Sequence, residues 1–267
     1  MPYSKINGVE LYYEDAGQGQ PIIFLHGVWE SSRFFHRQLG HFSRRHRAVA
    51  PDMRGHGRSK HVHFGHTVAQ YACDLRALMQ ELKLTDVVLV GHSMGAFVLW
   101  DYVRQFGVQN LAATVIVDQS ASDFKWADWP LGYVDFAALC HFMAAVQTDR
   151  DAFVREITPL LFKQPLTDLD LQQMLGEITR LPPTVASAIL FDQTVQDYRT
   201  ILPNVTVPTL LCFGRDEEVV PLAAGEHLLQ NLPDARLVIF EESGHYPFLE
   251  EPQRFNAEVE AFVQALG

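Results

Sequence analysis

The sequence is poor in cysteine, in long apolar runs and in internal repetition. Its three cysteines among 267 residues, Cys73, Cys140 and Cys212, are scattered and lack C-x-x-C spacing. This pattern excludes a disulfide framework or a cysteine-based metal site and predicts small core hydrophobes. No run approaches the roughly 18 apolar residues of a membrane-spanning helix, and the N-terminal residues lack the apolar stretch of a secretory signal.

Positive charge is also in deficit. Lys and Arg number 21 against 32 Asp and Glu, which gives a formal net charge of -11. Such a charge repels nucleic acid and anionic membrane surfaces. We therefore expect a cytoplasmic protein with no nucleic-acid partner and no membrane span, acting on a small molecule. The sequence leaves both a monomer and a homodimer open.

Strand-like and helix-like segments alternate through most of the chain. Short continuous apolar runs, typical of strands buried on both faces, recur at residues 21–25, 48–50, 87–90 and 114–117. The dipeptide Asn7-Gly8 between two strand-like runs predicts a hairpin with a type I′ turn. Thr67 is of a type that caps helices, and apolar residues follow it at helical spacing. The rhythm predicts an α/β fold with a mostly parallel twisted sheet and helices on both faces.

The alternation breaks between residues 119 and 203. Four helix-like segments succeed one another there without a convincing strand, at Asp135–Gln147, Arg150–Phe162, Asp168–Arg180 and Pro183–Tyr198. We interpret residues 119–203 as a helical cap inserted into a core made of residues 1–118 and 204–267. The cap is rich in aromatic residues, and some of them are expected to pack on the core or to line an apolar pocket.

The most informative stretch is Gly91-His92-Ser93-Met94-Gly95, which lies between the apolar run at 87–90 and a helix-like segment. A serine between glycines at a strand-to-helix turn is the pattern of a nucleophile elbow. Because the turn is sharp, the serine is strained, and small residues two positions away let strand and helix approach. The helix points its N-terminal amides at the serine, so the Met94 N–H is a predicted oxyanion donor.

A serine nucleophile needs a base, and the base needs an orienting carboxylate. His245 is the predicted base because Ser243-Gly244-His245 follows the last predicted strand, Arg236 to Phe240. The order serine, acid, histidine fits an α/β hydrolase.

The chain resembles the α/β-hydrolase superfamily over essentially its full length. The motifs that carry the resemblance are His26-Gly27, Arg54-Gly55-His56-Gly57-Arg58-Ser59, the elbow, the loop after Gly214, and Ser243-Gly244-His245. The resemblance implies the α/β-hydrolase fold with a helical cap. It also implies that the backbone N–H of Val28, the residue after His-Gly, is the second oxyanion donor.

Three carboxylates compete for the role of the orienting acid. The loop after Gly214 reads Arg-Asp-Glu-Glu-Val-Val-Pro, and we call residues 214–221 the acid loop. In similar enzymes the acid lies three positions after the glycine, which favours Glu217 over the neighbouring Asp216 and departs from the usual aspartate. Asp118 is the third candidate, because some relatives place the acid after the strand that follows the elbow helix.

The predicted substrate pocket combines the loop after the first buried strand with the cap. Its candidate residues are His26, Trp29, Trp126, Trp129 and Phe142. No cofactor and no metal are expected. His56, His61, His63 and His66 cluster in sequence, but no cysteine or carboxylate completes a ligand set, which favours a solvated polar loop at the cleft rim.

The sequence therefore predicts a metal-free serine hydrolase that cleaves a carboxylic ester or lactone through an acyl-enzyme. The apolar cap favours a small or medium hydrophobic substrate, such as an aryl or short-acyl ester or an acyl-homoserine-type lactone. Serine at the elbow argues against the dehalogenases and epoxide hydrolases that resemble this fold but use aspartate there. Two alternatives stay open: a cofactor-independent dioxygenase with a His and Asp pair near Asp118, and a slow-turnover, receptor-like binding module. Carbon–carbon bond hydrolysis and perhydrolysis are within reach of the same triad.

Overall fold

The computed structural model describes residues 3–216 and 219–267 of the chain. Within these residues the strands are β1 (Tyr3–Ile6), β2 (Val9–Ala16), β3 (Pro21–Leu25), β4 (Arg47–Pro51), β5 (Val87–His92), β6 (Leu111–Val117), β7 (Thr209–Gly214) and β8 (Ala235–Phe240). They form one sheet in the order β1-β2-β4-β3-β5-β6-β7-β8. The pairs from β4 to β8 are parallel, whereas β2 pairs antiparallel with both β1 and β4. The predicted mostly parallel sheet is confirmed.

Helices cover both faces of the sheet, as expected for strands that are apolar on both sides. They are α1 (His36–Phe42), α2 (Val68–Glu81), α3 (Met94–Phe106), α4 (Phe136–Thr148), α5 (Arg150–Leu161), α6 (Asp168–Ile178), α7 (Pro183–Thr194), α8 (Leu222–Asn231), α9 (Pro247–Glu250) and α10 (Pro252–Gln264). No helix in the described parts of the chain is long and apolar enough to cross a membrane.

Local signals place two elements as predicted. Asn7 and Gly8 both have positive φ, 45° and 81°, which is the geometry of a type I′ turn between β1 and β2. The hydroxyl of Thr67 accepts from the backbone N–H of Gln70 at 3.2 Å and caps α2. Turn and cap chemistry alone were therefore enough to locate both elements.

The helical segment between β3 and β4 has two parts. The segment from Ser31 to Phe42 begins as a 3-10 turn, Ser32–Phe35, and only then becomes α1. The backbone N–H of Ser32 donates to Asp52 Oδ1 at 2.7 Å, so a contact with the end of β4 shapes the start of this segment.

The segment 119–203, which is described throughout, carries α4 to α7 and adds no strand to the main sheet. Its helices begin within one residue of the predicted positions. The fourth ends at Thr194, four residues earlier than predicted, because the chain then turns back to the core. The backbone N–H of Tyr198 bonds there to the oxygen of Ala121 at 2.9 Å, which brings the two ends of the segment together.

Candidate active site

Ser93 lies in a strained turn between β5 and α3, with φ 51° and ψ −124°. A Cβ added to Gly91 would stand 2.6 Å from the backbone oxygen of Gly95, and one added to Gly95 would stand 2.2 Å from that of Leu25. Both glycines are therefore sterically required, Gly91 by the close approach of strand and helix that the sequence indicated and Gly95 by the approach of β3. Such a conformation persists only where the surrounding structure imposes it.

The serine is half-buried at the head of α3. Its backbone oxygen accepts from the N–H of Ala96 at 2.8 Å, which starts the helix, and its own N–H donates to Val117 on β6. The first amides of a helix have no partner inside the helix. The N–H of Met94, the first residue of α3, is therefore directed at the serine end, where the helix dipole favours negative charge.

The loop after β8 carries His245 to the elbow. Its side chain is buried, and its backbone N–H donates to Leu161 of the cap segment at 2.8 Å. The ring centroid of His245 lies 4.7 Å from that of His92, the residue before Ser93. The predicted nucleophile and base therefore lie on adjacent turns at the carboxyl edge of the sheet.

Asp118 lies beside the base. It directly follows β6 with φ 47°, its side chain is fully buried, and its Oδ1 is 3.8 Å from Nδ1 of His245. Its Oδ2 accepts from the backbone N–H of Gly214 at 2.7 Å. One carboxylate thus fixes the first residue of the acid loop and places negative charge next to the histidine.

Of the other two acid candidates, the structure describes Asp216 but not Glu217. Asp216 is half-exposed, with 48% of its side-chain surface accessible, and pairs with Lys163 at 2.8 Å. Its backbone N–H bonds to the oxygen of Ser243, so residues 214–216 run beside the loop that carries His245. Glu217 lies outside the described residues and stays a prediction.

The ring of His26 is fully buried and holds the loop from residue 26 to residue 31, which we call the oxyanion loop. Since a carbonyl only accepts, Nδ1 of His26 donates to the oxygen of Gly27 at 2.8 Å, and Nε2 accepts from the N–H of Met53 at 3.0 Å. Burial lowers the pKa of this ring, which agrees with a neutral imidazole. In a trans peptide the N–H points away from the C=O. Pinning the Gly27 oxygen therefore aims the Val28 N–H to the opposite side.

Among the predicted pocket residues, Trp29 and Phe142 belong to one aromatic cluster between the oxyanion loop and the helices of segment 119–203. Trp29 is buried in the oxyanion loop, 6.4 Å between ring centroids from Phe153, which in turn lies 5.4 Å from Phe142. These three rings join the oxyanion loop to α4 and α5. They form one continuous aromatic contact between these elements.

The other two pocket tryptophans organise the start of the cap segment. The indole N–H groups of Trp126 and Trp129 donate to the hydroxyl and the backbone oxygen of Ser122, each at 2.9 Å. The Trp129 ring also lies 5.2 Å from the guanidinium carbon of Arg199. Both side chains therefore have structural partners in the segment that leads into α4.

The prediction of a solvated histidine loop was wrong for two of its four members. His56 is fully buried, with its ring 4.9 Å from that of His26, and His66 is buried with Nε2 2.7 Å from the oxygen of Val62. Burial lowers the pKa of both rings. His56 packs against the start of the oxyanion loop and His66 bonds within its own segment, whereas His61 and His63 are exposed.

Sequence reasoning missed three buried polar side chains at this site: Glu30, His92 and Asp123. Asp123 accepts from Gln119 at 2.8 Å, and burial raises its pKa to about 7, although hydrogen bonds and the charge of His245 oppose the shift. The available signal was weak. Glu30 is a lone charge in an otherwise uncharged stretch after a buried strand, and His92 directly precedes the elbow serine.

A groove of about 740 Å³ opens next to the site, between α6 and the segment 33–37. Phe34 and Phe162 line it, and both rings contact Tyr246, at centroid distances of 6.1 and 4.5 Å. Tyr246 directly follows His245. Two residues that line the groove therefore contact the neighbour of the predicted base.

Known proteins of similar sequence and structure span nearly the whole chain. It is 29% identical to a non-heme haloperoxidase of Rhodococcus erythropolis over 280 residues, covering 99% of this chain and 100% of the relative. It is 31% identical to the non-heme chloroperoxidase CPO-A1 of Kitasatospora aureofaciens, covering 90% of each. An esterase from Exiguobacterium antarcticum superposes with a TM-score of 0.94 at 26% identity over 98% of both chains. Residues 22–258 match the profile of one large family. The chain belongs to the alpha/beta hydrolase family.

Proposed function

We propose that the protein is a serine hydrolase that cleaves a carboxylic ester or lactone through an acyl-enzyme. The observation that carries the proposal is the strained Ser93 at the head of α3, with His245 packed against the preceding residue. The likeness to an esterase at 26% identity over almost the full length of both chains supports it.

The proposed reaction follows from the positions of the groups. Ser93 Oγ attacks the substrate carbonyl carbon while His245 accepts the hydroxyl proton. Since Nδ1 of His245 faces Asp118, Nε2 is the nitrogen that serves the serine. The alcohol leaves with that proton, water then attacks the acyl-enzyme with His245 as base, and the carboxylic acid and free serine result.

The amides of Val28 and Met94 are proposed to bind the oxyanion. One preorganised donor of this kind lowers the barrier by about 2.7 to 4 kcal/mol. The Val28 peptide is supported by the bond from His26 to Gly27, and the Met94 amide by its place at the start of α3. In an inhibitor complex, both amides should lie within hydrogen-bond distance of a phosphonate oxygen.

The orienting carboxylate is proposed to come from the ends of β6 and β7. Burial and the 3.8 Å distance to His245 support Asp118, whereas its position in the acid loop supports Glu217. The exposure of Asp216 and its pairing with Lys163 favour a different role for that residue.

The substrate is proposed to be small or medium-sized and hydrophobic. The aromatic cluster of Trp29, Phe142 and Phe153 supports an apolar acyl or aryl group, since Trp29 follows the proposed oxyanion donor and such rings contribute through buried area. The groove lined by Phe34 and Phe162, whose rings contact Tyr246 beside the base, is proposed as the approach from solvent.

A second candidate activity, perhydrolysis, is favoured by the two relatives that are named haloperoxidases. Hydrogen peroxide in place of water would convert the acyl-enzyme into a peracid and restore Ser93. The peracid would oxidise a halide ion to hypohalous acid and return to the carboxylic acid. Halogenation would then require both peroxide and a carboxylic acid or ester.

The test compares the wild type with Ser93→Ala on p-nitrophenyl esters of increasing acyl length and on several lactones. Turnover should disappear in the variant, and the chain-length profile should measure the pocket. Dye bromination with peroxide, measured with and without acetate, tests the second candidate. Ester turnover that survives Ser93→Ala, or none with any substrate, would contradict the proposal.

A further inference from the structure

Glu30 is a buried carboxylate that joins two loops of the site. Only 3% of its surface is exposed. Its Oε2 accepts from the backbone N–H of Gly27 at 2.8 Å, and its Oε1 accepts from the hydroxyl of Tyr246 at 2.9 Å. Gly27 precedes the proposed oxyanion donor Val28, and Tyr246 follows the proposed base. The side chain of Glu30 therefore bonds to both the oxyanion loop and the loop that carries His245.

His92, which precedes Ser93 in the elbow, contacts both Glu30 and the loop that carries His245. Its ring is fully buried, its Nδ1 lies 3.5 Å from Glu30 Oε2, and its Nε2 lies 3.0 Å from the backbone oxygen of His245. Because β3 and β5 are neighbours in the sheet, residues 62 apart in sequence meet here. The pair thus links all three loops that carry the proposed chemistry.

The hydrogen bond from His92 to His245 determines which ring nitrogen of His92 carries a proton. A carbonyl oxygen only accepts, so Nε2 of His92 carries a proton. Its Nδ1 would then direct a lone pair at a carboxylate unless at least one proton lies between the two groups. Burial by itself raises the pKa of Glu30, but His92 and the Gly27 N–H outweigh it, and the pKa lies below its usual value. Glu30 and His92 therefore act as one coupled unit.

The Glu30–His92 pair leaves room only for a glycine at position 27 of the oxyanion loop. A Cβ at Gly27 would stand 2.8 Å from Glu30 Oε1 and 3.1 Å from His92 Nδ1. The loop backbone can approach the pair this closely only without a side chain. The close contact between the Glu30–His92 pair and the loop backbone therefore depends on Gly27, and it fixes the position of the oxyanion loop relative to the pair.

We infer that Glu30 and His92 are positioning residues that hold the Val28 amide and His245 in register with Ser93. The inference rests on the proposed function, because it names what aligns that site. Neither residue is assigned contact with the substrate. Misplacing a reacting group by about 1 Å can cost about a hundredfold in rate, so the pair should influence turnover more than substrate binding.

The experiment measures kcat and KM for one p-nitrophenyl ester in Glu30→Leu, Glu30→Gln and His92→Phe. Activity is divided by the number of sites that a chromogenic phosphonate titrates, so that unfolded or inactive protein does not count. We expect kcat per titrated site to fall about tenfold to a hundredfold in Glu30→Leu and His92→Phe, with KM within about threefold. Glu30→Gln should fall less, because its amide oxygen can still accept one of the two bonds.

Asp101→Asn provides the matched control. Asp101 is also a fully buried carboxylate that accepts from a tyrosine hydroxyl, that of Tyr198, at 2.7 Å, but it lies on α3 away from these loops. This variant should lose thermal stability and keep its kcat per titrated site. The comparison separates positioning from general destabilisation.

Two outcomes would overturn the inference, and they are distinguishable. If the wild type hydrolyses the ester through Ser93 but the Glu30 and His92 variants keep normal kcat per titrated site, the positioning role is wrong and the proposed function stands. The same holds if their kcat falls no more than that of Asp101→Asn. If the wild type neither turns over esters nor reacts with the phosphonate, the proposed function fails and the positioning role fails with it.

Discussion

The indole N–H of Trp29 donates to the backbone oxygen of Ala186 at 3.0 Å. Trp29 follows Val28 in the oxyanion loop, and Ala186 belongs to α7 of the cap segment. A second bond runs from the hydroxyl of Ser31 to Glu177 on α6 at 2.9 Å. The oxyanion loop is thus attached to the helices above it at two points, so the position of these helices and the geometry of the loop should depend on each other.

Replacing Trp29 with Phe should test this attachment. The variant keeps an aromatic ring but loses the bond to Ala186, which removes about 0.5–1.5 kcal/mol of stability in addition to packing. We expect kcat for ester hydrolysis to fall because the loop is less firmly held. Trp100→Phe is the control, since the Nε1 of Trp100 has no hydrogen-bond partner among the residues described. It should lower the melting temperature and leave kcat unchanged, and equal kcat losses in both variants would contradict the coupling.

The pKa of Asp123 predicts a pH-dependent loss of stability. An unfolded aspartate ionises near pH 3.9, whereas burial raises the pKa of Asp123 to about 7 in the folded protein. Between these values the folded state keeps a proton that the unfolded chain loses, so stability falls as the pH rises. From pH 5 to pH 8 this group should remove about 3 kcal/mol from the free energy of unfolding.

Asp123→Asn should lack that loss. Urea unfolding at pH 5 and pH 8 should show the variant gaining about 3 kcal/mol relative to the wild type at the higher pH. Asp168→Asn, at an exposed position in the first turn of α6, controls for the substitution itself. A wild-type-to-variant difference that is the same at both pH values would refute the raised pKa.

Two glycine substitutions should have opposite effects. Gly95→Ala places a methyl group 2.2 Å from the backbone oxygen of Leu25, so the elbow cannot close and the folded protein should be severely destabilised. Gly176→Ala lies in the exposed interior of α6 with nothing within 4 Å, and it should gain about 0.5–1 kcal/mol. Thermal unfolding of both variants checks this, and a well-folded, active Gly95→Ala would refute the close approach.

Asp118→Asn and Glu217→Gln should identify the orienting acid. Loss of the orienting carboxylate should lower kcat by orders of magnitude, as expected when the imidazole tautomer is no longer controlled. The other variant should lose much less. Removing the negative charge of Asp118, 3.8 Å from Nδ1 of His245, also disfavours the imidazolium. The acid limb of the kcat/KM profile should therefore move to lower pH in Asp118→Asn, and an unchanged limb would contradict this.

The parts of the site that could be predicted from the sequence depend on neighbours along the chain. Gly91 precedes Ser93 because strand, turn and helix must meet within five residues, and this constraint is visible locally. Gly95 is also visible as part of the motif, although the atom that requires it belongs to Leu25 on β3. The constraint is likewise local in the Asn7-Gly8 turn and the Thr67 cap. Each is a short-range rule of backbone geometry, and each is present in the fold.

The C-terminal end of α7 and the burial of His56 and His66 could not be predicted from such local rules. The bond from Tyr198 to Ala121 ends one element, and burial against the start of the oxyanion loop decides the environment of His56. Both depend on residues that are distant in sequence. Helical periodicity and local polarity contain no information about such partners.

The sequence by itself determined the alternation of strands and helices, the elbow and the order of serine and histidine, because apolar period and glycine placement are local properties. Only the tertiary structure decided that Asp118 lies beside His245 and that Glu30 meets His92. Those contacts follow from the sheet order, which sets β3 beside β5 and β6 beside β7. A buried charge is stable only where neighbouring elements supply its partners. Here the partners come from strands that are distant in sequence, so they are identified only once the order of the strands is known.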